Sequence, residues 1–397
     1  MVKLRSIFLI IVCEVLAVSL WFSATSAAAG LIAAGAISGQ QAGLLTSAVQ
    51  LGFVAGTLLS AWFGVADRFD PRRIFAVAAL VGGLANLAIL ATGFGSPATL
   101  VLRFVTGAML AGIYPVGMKM AAGWADRAVG VLFGLLVGAI TLGSALPHLV
   151  NAVLGLDWRL TIAASSLAAL AAAGMILLVK LGPRHMVATR FNPGEAFRAL
   201  RRPALALGNA GYLGHMWELY AMWAWIGVFL AWGLAEAGVA APPTGVLTFL
   251  IIASGAVGSV IAGLLADRLG RTTITIAAMA VSGTCAATIG FVPALGATAL
   301  IVVALVWGVT IVADSAQFSA AIAELSDPPI VGSMLTLQTS MGFLLTFLTI
   351  QAMPVLIGLL TWRYAFAALA LGPLVGALAM WRLRREPESI RIAGGRR

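Results

Sequence analysis

The feature that most limits what this 397-residue chain can become is a succession of apolar runs, each about 20 residues long or longer, most of them joined by short connections. A run of that length exceeds an ordinary core helix and matches the roughly 30 Å thickness of a bilayer's hydrocarbon layer. The runs fall near 7–32, 41–63, 74–93, 97–122, 128–154, 159–180, 204–235, 244–266, 272–292, 295–323, 330–358 and 362–382. Only 10% of the residues are charged and 61% are hydrophobic, whereas a soluble domain carries about 25% charged residues. Lipid is therefore the expected solvent. The expected fold is an all-α membrane protein of twelve transmembrane helices, with no soluble domain left over. Closely spaced glycines such as Gly134, Gly138, Gly255 and Gly258 would let neighbouring backbones approach one another.

The cations predict an orientation, because cytoplasmic loops collect Lys and Arg during insertion. Threaded through twelve spans, Lys3, Arg5, Arg68, Arg72, Arg73, Arg127, the stretch from Lys180 to Arg202, Arg268, Arg271 and the segment from Arg382 to Arg397 all fall on one side. Only Arg159 and Arg363 fall on the other, each beside a tryptophan. Both termini are expected to be cytoplasmic, in a plasma membrane of the bacterial inner-membrane type. The formal net charge of +10 then records topology, and nucleic acid is not an expected partner. The first run could also be read as a cleaved secretory signal ending at Ala27, Ala28 and Ala29, but Glu14 within it and its length favour a retained span. The two cysteines, Cys13 and Cys285, lie inside spans and give no disulfide framework. No phosphate loop, no His-Glu-x-x-His pair and no metal-ligand spacing occurs, so neither an enzyme nor a metal or other cofactor is expected.

Two local strings recur at nearly one offset, which suggests an internal duplication. Ala66-Asp67-Arg68-Phe69 returns as Ala266-Asp267-Arg268-Leu269, 200 residues later, and Trp158-Arg159 returns as Trp362-Arg363, 204 residues later. The expected partition is a first six-helix half over 1–180, a cytoplasmic linker over 181–203, a second half over 204–382 and a basic cytoplasmic tail over 383–397. The string Gly263-Leu264-Leu265-Ala266-Asp267-Arg268-Leu269-Gly270-Arg271 matches the cytoplasmic loop signature of the major facilitator superfamily, which the whole chain resembles. The equivalent loop, Phe63-Gly64-Val65-Ala66-Asp67-Arg68-Phe69-Asp70-Pro71, departs from it: the first glycine is displaced and Asp70 replaces the second. A carboxylate that pairs with arginines and helix-end amides in such a loop can hold two helix bundles in one conformation. Asp67, Arg68, Asp267, Arg268 and Arg271 are therefore gating candidates, against the plainer reading of a solvated loop.

Ionisable groups at membrane depth are costly unless they face a partner or a wet cavity. They are Glu14, Arg103, His148, His215, Glu218 and Asp314. All but His148 fall on spans one, four, seven and ten, which the resemblance implies line a central cavity. His215, Glu218, Met222 and Trp225 share one face of span seven, and the i, i+3 spacing predicts that His215 and Glu218 reach each other. Either could titrate near neutral pH there, so Glu14, His215 and Glu218 are candidates for carrying a proton. A satisfied structural pair with packing tryptophans is the alternative. Asp314 and Gln317 share a face of span ten that Glu324 continues, and Asp314 aligns with Tyr114 and its following Pro115. Arg103 suits an anion, although the family's fourth-span motif implies an internal polar network instead. Arg103, Tyr114, Trp225, Asp314 and Gln317 are the candidates for touching a solute.

The expected function is secondary active transport of a small polar or anionic solute by alternating access, with protons as the coupling ion in symport. The alternative is proton-coupled export of drugs or aromatic metabolites. Span five lacks the Gly-Pro pair typical of the family's drug antiporters, which favours uptake.

Overall fold

The computed structural model describes residues 2–124, 129–155, 157–183, 191–240 and 242–396. Arg127 and residues 184–190 of the expected linker lie outside the described residues, as does the side chain of Asp67. Among the described residues the regular structure is helical throughout, with no strand. With no water in a bilayer core, a spanning segment must satisfy its own backbone, and a helix does so within one segment.

Ten helical stretches are long and apolar enough to cross a bilayer. Two features bring this into line with twelve passages. The first stretch is interrupted, with a helix over Val2–Val18, turns, and a short helix over Ala28–Ala33. The last, Pro328–Leu383, holds 56 residues, more than two crossings' worth, and turns at Thr361, whose φ of 57° is non-helical. The passages are therefore span one (from Val2–Val18), two (Gly39–Phe63), three (Pro71–Thr92), four (Pro97–Ala122), five (Val129–Val153), six (Trp158–Leu178), seven (Pro203–Glu236), eight (Thr244–Leu269), nine (Arg271–Leu295), ten (Ala297–Leu325), then eleven and twelve on either side of Thr361.

Spans four and ten are each interrupted, span four over 111–113 and span ten at Asp314, whose backbone stays in the right-handed helical region. Span four changes from helix to turn after Leu110 and resumes at Tyr114, where Pro115 supplies no N–H to the carbonyl of Ala111. Span ten breaks at Asp314 and resumes at Ser315. Residues 114 and 314 are separated by the same 200 positions as the repeated loop strings. Broken helices near the middle of a membrane expose polar backbone where it can line a cavity.

Span one packs on five and six, and span seven on eleven and twelve. Span two also packs on span eleven, and span five on span eight. The Ser259 hydroxyl donates to the Gly134 carbonyl at 3.0 Å, across the five–eight contact. Span seven is the most buried of the spanning stretches.

The segment after span twelve, the expected basic tail, lies against the helix bundle. Pro387–Gly395 forms further helical turns against the ends of spans seven and ten, with Ile392 fully buried. The Ala393 amide donates to Glu324 Oε2 at 2.9 Å, Arg391 lies 3.4 Å from Asp327, and Arg202 pairs with Glu388. The Glu388 carboxylate, with Asp327 beside it, holds the Arg202 guanidinium above its ordinary pKa.

Candidate transport cavity

A cavity of about 150 Å³ lies between spans four, five, seven, ten and eleven. Span seven contributes Tyr212, Met216, Tyr220 and Trp223, a stripe at helical spacing. Tyr114 comes from span four, Ser315 and Ser319 from span ten, and Thr339 and Phe343 from span eleven. The walls reach Ala323, two residues from the end of span ten, on the arginine-rich side of the molecule. Among the described residues no Asp, Glu, Lys or Arg lines them. The Trp223 indole N–H is buried without a partner among the described residues, a donor left over for an acceptor.

On the opposite side a layer of rings closes the cavity. Phe53 and Phe343 lie 4.5 Å apart between ring centroids, Trp21 and Phe53 5.0 Å, and Tyr220 and Phe343 5.0 Å. Phe22 stacks on Tyr220 at 6.2 Å with 11° between the planes. Such ring contacts add about 0.5–1.5 kcal/mol each beyond burial. Beyond them the Gln351 amide donates to Ser47 Oγ at 2.6 Å, and the Trp225 indole donates to the Ile350 carbonyl at 3.2 Å while packing on Gly39 and Gly43.

His215 and Glu218 are not partners of each other. The His215 Nδ1 lies 2.9 Å from Asp314 Oδ1, and its Nε2 lies 3.2 Å from Ser315 Oγ. The 2.9 Å approach is a close contact without hydrogen-bond geometry, since Asp314 Oδ1 has no hydrogen-bond partner among the described residues, and the tautomer decides which of Nε2 and the Ser315 hydroxyl donates. Ser315 belongs to the cavity wall, so a hydroxyl, an imidazole and a carboxylate form a chain leading away from the cavity. Glu218 points elsewhere: its two oxygens accept from Trp307 Nε1 at 2.6 Å and Ser282 Oγ at 3.0 Å, which ties span seven to nine and ten. The i, i+3 spacing brought the two residues to one face, but stronger partners on neighbouring helices took each of them.

Glu14 is fully buried, and neither of its oxygens has a partner among the described residues. Its carboxyl sits against Gly117, one helical turn past Tyr114, where any Cβ would collide with it. His148 is likewise buried, with Nε2 unpartnered.

Of the residues expected to touch a solute, only Tyr114 lines the cavity. Trp225 belongs to the far-side closure and Asp314 to the histidine. Gln317 accepts from Arg271 at 2.8 Å. Arg103 is fully buried and donates to the carbonyls of Leu20 (2.9 Å), Trp21 (2.5 Å) and Leu45 (3.4 Å), to Asn86 Oδ1 (2.9 Å) and to Ser23 Oγ (3.1 Å). It occupies the internal network, satisfying backbone that the break in span one exposes.

Arg271 holds Glu324 through both oxygens, at 2.8 and 3.0 Å, and lies 4.0 Å from Asp267. Arg396 donates to the Asp267 carbonyl at 2.5 Å. Among the described residues all these contacts stay within 204–396, where the second signature loop braces span ten and the C-terminal turns. Arg268 and Arg68 are exposed. Near the first loop, Lys119 Nζ donates to the Ala66 carbonyl at 2.7 Å.

Sequence reasoning missed Tyr212, Tyr220, Trp223, Ser315, Thr339 and the ring layer. The signal for span seven was present in the 212, 216, 220, 223 stripe, which competes with the charged face.

A family model described as Major Facilitator Superfamily matches residues 7–241. No curated protein matches the sequence. Among solved structures, the nucleoside transporter NupG is 14% identical, covering 96% of this chain and 99% of its own, with a TM-score of 0.72, and a mutant form of it gives 0.75 over 95% of this chain. The proton:xylose symporter XylE, bound to 6-bromo-6-deoxy-D-glucose, is 15% identical, covering 96% of each chain, with a TM-score of 0.70. At these identities the likeness is one of fold.

Proposed function

Because this integral membrane protein belongs to the major facilitator superfamily, we propose that it is a proton-coupled symporter of a small neutral solute carrying both a planar ring and hydroxyl or carbonyl groups. The observation that carries the proposal is the Ser315 hydroxyl, which faces the cavity and touches His215, itself 2.9 Å from Asp314. Solute and proton thereby have adjoining sites on one broken helix.

The neutral class follows from walls without any ionised side chain, since a charged solute would lose its hydration with nothing to replace it. Three tyrosines, Trp223 and two phenylalanines offer ring faces, and Ser315, Ser319, Thr141 and Thr339 offer hydroxyls. An anionic solute has no support, because Arg103 donates all its contacts to protein. Nucleosides and xylose, named for the structurally similar transporters, are neutral solutes rich in hydroxyls.

His215, Asp314 and Glu14 are the proposed proton groups. Glu14 enters that set because neither of its oxygens has a partner among the described residues. Glu218, held by two neutral donors, is assigned to anchoring span seven. Residues 1–180 and 204–382 form two halves that rock about the cavity, with both termini cytoplasmic in a bacterial inner membrane. The arginine-rich side is then the cytoplasm, and the present state faces inward.

The test is a panel of neutral ring-bearing solutes screened for thermal stabilisation of the purified protein, followed by flux of the hits into proteoliposomes under an imposed pH gradient. Uphill accumulation by the parent, lost in Asp314→Asn while solute exchange without a gradient persists, supports the reading. Undiminished proton-driven accumulation in Asp314→Asn would overturn it. The aromatic walls also favour proton-coupled export of aromatic metabolites, and expulsion of the hit in the same assay would establish that instead.

A further inference from the structure

A second hollow, about 690 Å³, opens on the outer wall of the helix bundle between spans two and three. Both spans pack on span four and scarcely on each other, which leaves the gap. Its floor is made of small residues: Gly56 lies so close to the Ala108 backbone that a Cβ there would collide with it, and Gly112 sits against the Ala78 methyl. Its lips, Leu59 and Val77, are more than half exposed and face where acyl chains would be. From Gly56 to the end of span two at Phe63 is seven residues, so the hollow reaches about 10 Å into the apolar layer.

One end of this apolar hollow is cationic. Arg68 and Arg73 line its mouth, both are exposed, and neither has an ion-pair partner among the described residues. The carboxylate that also lines the mouth, Asp70, is already occupied: Arg72 donates to it from its backbone N–H (2.9 Å), from Nε (3.0 Å) and from Nη2 (2.6 Å). Arg72 is itself fixed to the Val179 carbonyl at 3.2 Å. Two guanidinium forks are thus left at the height of a membrane surface, above a greasy slot open sideways to the bilayer.

We propose that this hollow binds one anionic phospholipid, its phosphate held by Arg68 and Arg73 and the upper part of an acyl chain lying between spans two and three. Guanidinium forks match phosphate geometry, and basic groups beside a membrane draw anionic lipid. The apolar slot selects a lipid over a free phosphate, and the arginines select an anionic head group over a zwitterionic one. The site stands whether or not the chain transports the proposed solute. Only its assignment to the cytoplasmic leaflet rests on that reading.

The test is native mass spectrometry of the delipidated protein titrated with phosphatidylglycerol, with phosphatidylcholine of the same chains, and with glycerol 3-phosphate. Phosphatidylglycerol is expected to be retained several-fold better than phosphatidylcholine, and glycerol 3-phosphate not at all. The excess should vanish in Arg68→Gln/Arg73→Gln and fall in Val77→Trp, which fills the slot from an exposed position. It should persist in Arg382→Gln/Arg385→Gln, which removes the same charge elsewhere on that side. Equal retention of the two lipids, an excess unchanged in Arg68→Gln/Arg73→Gln, or an excess lost equally in Arg382→Gln/Arg385→Gln would each overturn the proposal. A thermal melt of every variant separates loss of the site from loss of the fold.

Discussion

Replacing Arg103 by lysine keeps a positive charge at the position and removes its geometry. The arginine offers five donors in a planar fork, while a lysine ammonium offers three from one nitrogen. Arg103 serves five acceptors on three different segments: Leu20, Trp21 and Ser23 where span one breaks, Leu45 on span two and Asn86 on span three. At least two must be given up in the variant. A hydrogen bond from a charged donor contributes about 1.5–3 kcal/mol, so Arg103→Lys is expected to lose about 3–6 kcal/mol of stability. In a detergent melt the lower figure corresponds to a fall on the order of 5 °C or more. Because no atom of Arg103 borders the cavity, the half-saturating concentration of a transported solute should not move in the surviving folded fraction. An unchanged melt with a raised half-saturating concentration would refute this reasoning and return the arginine to solute recognition.

Three further outcomes are expected. Gly117→Ala should cost roughly 1–3 kcal/mol by overpacking, since the added carbon would stand 2.9 Å from Glu14 Cδ and closer still to its oxygen; a melt of Gly117→Ala beside Glu14→Ala/Gly117→Ala should show the loss relieved in the double variant. Glu324→Gln removes the charge and one of the two oxygens that Arg271 and the Ala393 amide share, so trypsin should cut after Arg391 faster than in the parent. The Asp70 carboxyl is held below the usual carboxylate range by its hydrogen bonds from Arg72. Its stabilising contribution is therefore fully present above about pH 4, where the unfolded carboxyl also ionises, and is lost as pH falls through the lower folded value. Melts of the parent and Asp70→Asn should differ near neutrality and converge in acid, and a constant difference down to pH 2 would exclude the pairing.

The long apolar runs made the helical membrane fold legible, because satisfying the backbone in lipid leaves few other choices. The offset of the loop strings is approximated again by the interruptions of spans four and ten, at 111–113 and at 314. Span one is the opposite case. Residues 19–24, Ser-Leu-Trp-Phe-Ser-Ala, hold no proline or glycine, and the helix ends there while Arg103, some 80 positions away, serves the freed carbonyls. Nothing local announces it. Span seven failed differently: it is apolar on every side, so periodicity offered two stripes without saying which faces the centre. The charged stripe turned out to meet neighbours, His215 lying against Asp314 and Ser315 and Glu218 accepting from Trp307 and Ser282, and the aromatic stripe faces the cavity. Partners a hundred residues away decided the matter.

In the proposed two-half arrangement, His215 and Asp314 lie on spans of the same half, so a rigid rocking motion leaves their 2.9 Å separation unchanged. A proton on that pair cannot by itself favour one orientation of the halves, because it contributes equally to both. What distinguishes the orientations is the ring layer, where Trp21, Phe22 and Phe53 of the first half meet Tyr220, Trp223 and Phe343 of the second. Those contacts must part for the far side to open. Span seven carries His215 one helical turn and a half before Tyr220, and two turns before Trp223, with no break between them. Coupling therefore requires the protonation of His215 to change the lie of span seven, or the solute to bridge Ser315 to the rings above it.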